Sequence, residues 1–233
     1  MRLLIISCIP EFGAAASQTL EKAVEAALTK AAVAAAARKS TATASAAAVE
    51  VCSLCGPSVS KARILPELKR LAEYAAGGPG RRAIVFYTGH GDQMADRSGD
   101  EADGRDEFWR VPSGPPVIDD DISRVFASTP THPESLVLLI SDSCSSGTMI
   151  DRALMPAKSA WATIAACRDS ESALSTSDGG AFTLFGLIPA LQNPNVKTVG
   201  ELFECSASKL SFGDQHVTVN YSAPEIKNWL IFE

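Results

Sequence analysis

The sequence is short of positive charge. Its 233 residues carry 21 Lys and Arg against 27 Asp and Glu, a formal net charge of −6. A nucleic-acid binder ordinarily shows a basic footprint, and none is present here. Long hydrophobic runs are also missing: no stretch approaches the roughly 18 apolar residues of a membrane span. The opening MRLLIISCIPEF is apolar only at Leu3 to Ile6 and Ile9, and meets Pro10-Glu11 without a small-residue cleavage site. It reads as a first β-strand and not as a signal peptide. There are six cysteines: Cys8, Cys52, Cys55, Cys144, Cys167 and Cys205. Cys52 and Cys55 form a CxxC with no second pair, which argues against four-thiolate zinc and leaves a redox pair as the other reading. Several thiols lie in apolar runs, where buried free cysteine is common. A reducing, cytoplasmic setting is expected.

What is present is ordinary globular composition, 46% hydrophobic and 21% charged, which excludes whole-chain disorder and collagen. The length suits one α/β domain able to bury a core without staples. The charge, however, is uneven. Residues 92–121 hold ten acids (Asp92, Asp96, Asp100, Glu101, Asp103, Asp106, Glu107, Asp119, Asp120, Asp121) and three bases (Arg97, Arg105, Arg110), a net −7. The rest of the chain is nearly neutral. Like charges packed together repel unless water or a cation compensates them, so this segment is either a solvated loop or a cation site.

Apolar runs alternate with helical periodicity along the chain. Strands are expected at 2–8, 46–54, 83–87, 135–140 and 161–167, with a last alternating one at 216–221. Helices are expected at 14–38 (Leu20, Val24, Leu28 and Val33 near a helical period), around 64–72, at 118–126, at 180–191 and at 199–210. Asp119 to Asp121 would open the third helix, where its dipole favours acids. Alternation of this kind implies a mostly parallel sheet covered on both faces. In such sheets the ligand site lies beyond the C-terminal strand ends. His90 follows one strand and Cys144 another, 54 residues apart in the chain, so the topology brings both to one edge. A thiol becomes a nucleophile when a base lies near it, and imidazole is the usual partner.

The segments Tyr87-Thr-Gly-His90-Gly-Asp-Gln93, Gly99-Asp-Glu-Ala-Asp-Gly104, Ile118-Asp-Asp-Asp-Ile122 and Asp142-Ser-Cys144-Ser-Ser-Gly147 resemble the metacaspases. Ala166-Cys-Arg-Asp169 and Gly179-Gly-Ala-Phe-Thr183 extend the resemblance in family order. It implies a single caspase-like domain over 1–233, a three-layer α/β/α sandwich around a mostly parallel sheet. Residues 1–155 would be the large-subunit-like region and 156–233 the small-subunit-like one.

The resemblance further implies a cysteine endopeptidase with Cys144 as nucleophile and His90 as general acid/base. The backbone N–H groups of Gly91 and Cys144 would form the oxyanion hole. Asp142 and Thr88 would line a pocket for Arg or Lys, so substrates would be proteins or peptides with a basic residue at the cut. Ca²⁺ would be held by Asp106, Asp119, Asp120 and Asp151, as hard oxygen ligands suit it. Asp92, Asp96, Asp100, Glu101 and Asp103 would then need only solvation. Ala102 breaks the EF-hand pattern, so such a site would be assembled from separate loops. The resemblance also implies a monomer. The charge and the short apolar runs suggest neither a nucleic-acid nor a membrane partner, and self-cleavage, if it occurs, would fall after a basic residue such as Arg152 or Lys158.

Two departures stand out. Ser145 follows the nucleophile where the family usually has His. The N-terminal helix reads Ser17-Gln-Thr-Leu-Glu-Lys22 where the family has Gly-Cys-x-Asn-Asp. Basic specificity then rests on Asp142, and a caspase-like scaffold without turnover is the alternative reading.

Overall fold

The computed structural model describes residues 1–8, 13–39, 49–96, 98–99, 101, 103–210 and 214–232, with backbone alone at 13–17 and 38–39. Residues 40–48, with the expected start of the second strand, lie outside the described residues, as do Asp100 and Ala102. A six-stranded sheet forms the middle layer. Its strands are β1 (Arg2–Cys8), β2 (Glu50–Cys55), β3 (Arg82–Gly89), β7 (Leu136–Asp142), β8 (Trp161–Ala165) and β11 (Thr218–Tyr221), in the order β11-β8-β7-β3-β1-β2. All neighbours pair in parallel except β11, which runs antiparallel to β8.

The strands alternate between two apolar faces. Leu3, Ile5, Ile84, Phe86, Leu138 and Ile140 pack on one side with α1 (Gly13–Lys39), α4 (Ile188–Gln192) and α5 (Val199–Lys209). Leu4, Ile6, Val85, Tyr87, Val137 and Leu139 pack on the other with α2 (Lys61–Ala76) and α3 (Asp119–Ser128). Both faces are apolar because both are covered, which is why these strands read as continuous hydrophobic runs. Each fully buried Leu or Ile contributes about 1.5–3 kcal/mol relative to exposure. The result is the expected three-layer α/β/α sandwich.

Several elements differ from expectation. Along α1, Leu20, Val24 and Leu28 are buried but Val33 is 53% exposed and Ala32 takes the inner position. A step of four residues from Leu28 keeps the helical stripe, and five leaves it. The expected helix at 180–191 is a π-helical segment, Phe182–Leu187, that passes into α4. The last strand starts at Thr218, after His216. The acidic segment is not a plain loop. It builds a three-stranded antiparallel sheet from β4 (Gly91–Ala95), β5 (Arg105–Trp109) and β6 (Val117–Ile118). Its central strand turns inward, so Asp106 and Glu107 are each only 2% exposed.

Candidate active site

The parallel register sets β3 beside β7 so that Thr88 lies opposite Asp142. The chain then leaves both strands on the same side. Thr88, His90, Asp142 and Cys144 line one cavity of about 330 Å³, closed by the segment Ala173–Ser175 and by Gly180. His90 is exposed at its mouth and Cys144 is half-buried. Gly91 packs directly on the nucleophile loop: a Cβ there would lie 2.2 Å from the Cys144 carbonyl oxygen and 2.9 Å from Ser143 Oγ. A side chain at position 91 would therefore push the His90 corner away from Cys144. Ser145, beside the nucleophile, has φ 48°, the left-handed region that non-glycine residues seldom enter. Its N–H donates to the Glu171 carbonyl at 3.1 Å.

Two buried aromatics brace the histidine corner. Tyr87 stacks on Trp109 with ring centroids 4.4 Å apart. The Tyr87 hydroxyl reaches the His90 carbonyl (2.8 Å) and the Arg110 carbonyl (3.0 Å), and the Arg110 N–H donates back to His90. Complete burial pushes the Tyr87 hydroxyl well above its ordinary pKa and keeps it a donor. Trp109 Nε1 donates to Ser141 Oγ at 3.0 Å, and Ser141 Oγ lies 3.0 Å from Ser143 Oγ. The chain of contacts thus runs from the histidine corner to the residue before the nucleophile.

The thiol has its own support. Ala173 N–H donates to Cys144 Sγ at 3.3 Å, which holds the sulfur against that segment. The segment carrying Ala173 is pinned by buried Gln215, which accepts from Leu174 N–H (2.8 Å) and donates to the Ala166 carbonyl (2.9 Å). Cys167 donates to the Ser143 and Glu171 carbonyls at 3.3 Å each, and burial pushes its thiol up to about 11. It braces the loop as an inert thiol. All six cysteines are free, Cys52 and Cys55 included.

Asp142 is the acid of the cavity. Burial raises its carboxyl to about 6, against the opposing effect of Thr183, which donates both its N–H (2.9 Å) and its hydroxyl (2.5 Å) to Oδ2. Gly180 is glycine for a steric reason: a Cβ there would meet Asp142 Oδ2 at 2.1 Å. Across the strand pair, Thr88 Oγ1 is buried with no hydrogen-bond partner among the described residues. The acid of the Ser17–Lys22 stretch, Glu21, is not among the residues lining this cavity; its side chain is hydrogen-bonded to Cys55.

The acids of the small sheet are distributed differently from expectation. Asp119 and Asp120 open α3 and are buried, and Asp106 is buried on β5. Asp119 Oδ2 accepts from Glu107 N–H (3.1 Å) and Oδ1 from Asp120 N–H (2.7 Å). Asp120 pairs with Arg124 at 2.5 Å. Asp151 donates its N–H to Ser123 Oγ at 2.8 Å, which places it against α3. The acids that converge among the described residues are Glu101, Glu107 and Asp119, with one oxygen from each within 4.8 Å of the others. Of the four expected ligands this group holds only Asp119. It also gives Glu101 surroundings other than water. Burial raises Asp119 to about 8, with Glu107 and Glu101 adding repulsion. Glu107 accepts from Gln93 Nε2 at 2.7 Å and from the Thr148 hydroxyl, four residues after the nucleophile. Of the two expected self-cleavage positions, Arg152 lies over the Trp161 ring at 5.9 Å and donates to the Tyr221 carbonyl, while Lys158 is exposed.

The caspase-domain family model matches residues 22–228. The chain belongs to the caspase-domain family. Among curated members, Metacaspase-3 of Arabidopsis thaliana is 39% identical over 80 residues, 32% of this chain and 22% of that one. Metacaspase-1A of Aspergillus terreus is 35% identical over 97 residues, 40% of this chain and 23% of that one. The matched part thus spans about a fifth of those relatives' length. Protein GSU0716 of Geobacter sulfurreducens has the same fold, with TM-score 0.65, 19% identity, and coverage of 100% of this chain and 99% of that one. Within the caspase-domain fold, the edge at β3 and β7 carries the histidine, the thiol and the pocket acid together. No helix among the described residues is long and apolar enough to cross a membrane.

Proposed function

We propose that this caspase-domain chain is a cysteine endopeptidase that cleaves after Arg or Lys. The observation that carries the reading is that Thr88, His90, Asp142 and Cys144 line one cavity. The Cys144 thiolate adds to the scissile carbonyl carbon. The negative charge that develops on the carbonyl oxygen is met by the N–H groups of Gly91 and Cys144, whose loops are in contact. His90 protonates the departing amine as the C–N bond breaks, leaving an acyl-enzyme. His90 then takes a proton from water, whose oxygen attacks the thioester and releases Cys144. Asp142 pairs with the basic side chain on the acyl side of the cut, and Thr88 Oγ1 offers that side chain a further acceptor. A buried carboxylate facing a guanidinium gives a strong, charge-assisted contact.

Calcium activation is the second part of the reading. Asp106, Asp119 and Asp120 are buried carboxylates on or beside the acidic sheet, and Asp151 packs on the same helix. This all-oxygen donor set suits a hard cation, and Glu101 and Glu107 stand close enough to Asp119 to join it. Calcium supplies positive charge that offsets the mutual repulsion of these acids. The Glu107–Thr148 hydrogen bond joins that sheet to the nucleophile loop. A monomer acting on protein or peptide substrates in a reducing, cytoplasmic setting completes the reading, and the six free cysteines suit it.

The test is cleavage of an Arg-containing fluorogenic peptide by wild type and Cys144→Ala. Removal of the nucleophile is expected to lower kcat by about a thousandfold or more. Equal rates would overturn the assignment.

A further inference from the structure

Within the reading of the cavity as a pocket for a basic side chain, one residue outside its lining controls how the acid is presented. Thr183 is the second residue of the π-helical segment Phe182–Leu187 and is itself buried. Its N–H and its hydroxyl both donate to Asp142 Oδ2, at 2.9 and 2.5 Å. Oδ1 receives no hydrogen bond from the described residues. The two oxygens of Asp142 are therefore unlike: one is saturated by Thr183 and the other is left for a ligand. The same carboxylate fills the space that a Cβ at Gly180 would need, which would lie 2.1 Å from Oδ2.

We propose that Thr183 is a specificity-determining positioning residue: by claiming one oxygen of Asp142 with two donors, it fixes the other oxygen toward the cationic side chain of the substrate. Thr183 touches neither the substrate nor the reacting atoms, so its effect belongs to binding. Its hydroxyl is the part that substitution can remove, because its N–H stays in every variant. Loss of that donor frees the carboxylate to rotate and weakens its ionised form, since hydrogen bonds to a carboxylate favour the charge. The other titratable side chains of the cavity are His90 and Cys144. They are common to wild type and variant, so the difference between the two pH profiles reports Asp142.

The experiment uses the full chain with paired fluorogenic peptides that differ only in Arg or norleucine before the cut. For Thr183→Val, KM for the Arg peptide is expected to rise roughly tenfold with kcat within about twofold of wild type. The acid limb of kcat/KM moves to higher pH, the norleucine peptide is unaffected, and Thr183→Ser restores both parameters. Thr183→Ala removes the same hydroxyl without placing a new methyl group, and serves if the valine variant does not fold. Unchanged KM and pH profile in a folded variant overturn the inference. So does loss of folding in both variants, which makes the role structural. Wild type that leaves Arg and Lys peptides intact overturns the reading of the pocket itself, a result distinct from either.

Discussion

Asp142 and Asp119 are both buried aspartates with raised pKa values, and they are raised differently. At Asp142 burial acts alone and Thr183 opposes it, leaving a carboxyl near 6 on the wall of an open cavity. At Asp119 burial is reinforced by two neighbouring acids and opposed only by backbone N–H groups, and the carboxyl reaches about 8. Under the proposed function, the first arrangement would meet one monovalent cation that arrives and leaves with a substrate. The second gathers three acids, Asp119 with Glu101 and Glu107, each with an oxygen within 4.8 Å of the others. Burial alone therefore does not define a site. What surrounds the carboxylate decides which cation it suits.

The contrast is sharpest in activity. Asp142→Asn keeps the shape of the pocket and removes its charge. It is expected to lower kcat/KM for an Arg peptide by about a hundredfold or more, while Asp119→Asn leaves the Arg-to-norleucine preference intact. Equal loss of preference in both variants would break the distinction.

A smaller effect is expected in thermal stability with calcium. A ligand at a hundred times its Kd stabilises the native state by about 2.7 kcal/mol. For a chain of this size that raises Tm by several degrees, on the order of 5 °C. Wild type and Asp142→Asn should both show the shift between EGTA and excess calcium, and Asp119→Asn should lose it. A shift that follows Asp142 instead would reverse the two roles, and none in wild type would remove the metal.

The smallest effect is a pH dependence of stability. The folded-state pKa of Asp142 lies above the unfolded value of 3.8. The native protein therefore holds a proton that the unfolded chain has released. This contribution is complete below about pH 3.8 and is lost as the pH rises through about 6. Asp142→Asn escapes that loss, and its oxygen can still accept from Thr183. At pH 8 it is expected to gain roughly 2 kcal/mol over wild type, a gap that closes toward pH 4. Urea melts of the two proteins at both pH values measure it, and a gap that widens in acid would contradict the assignment.

The same contrast explains what could be read from the sequence. The edge with His90 and Cys144 was legible because strand ends in a parallel sheet follow from apolar runs, and short motifs fall directly after them. Thr88 and Asp142 came with those motifs. The roles of Tyr87, Trp109, Thr183 and Gln215 are not legible in the sequence, because their work is done through hydrogen bonds between segments distant in the chain. Trp109 and Ser141, for example, are 32 residues apart. The acidic segment was read by its charge as either solvated or cation-binding. Its folding into β4, β5 and β6 was hidden, because strands of two to five residues carry little periodicity. Consequently the approach of Glu101 and Glu107 to Asp119 is not legible in the sequence: Glu107 lies on β5 and Glu101 in the connection between β4 and β5.

The β3–β7 edge is either a working site, as proposed, or a silent copy of one. The most direct measurement is covalent labelling with an Arg-directed thiol-reactive inhibitor, read by mass spectrometry of the intact chain and of its peptides. A single adduct on Cys144 is expected, blocked by excess Arg peptide and absent from Cys144→Ala. No adduct, or one on another thiol such as Cys205 that persists in Cys144→Ala, would contradict it and leave a caspase-like scaffold without turnover.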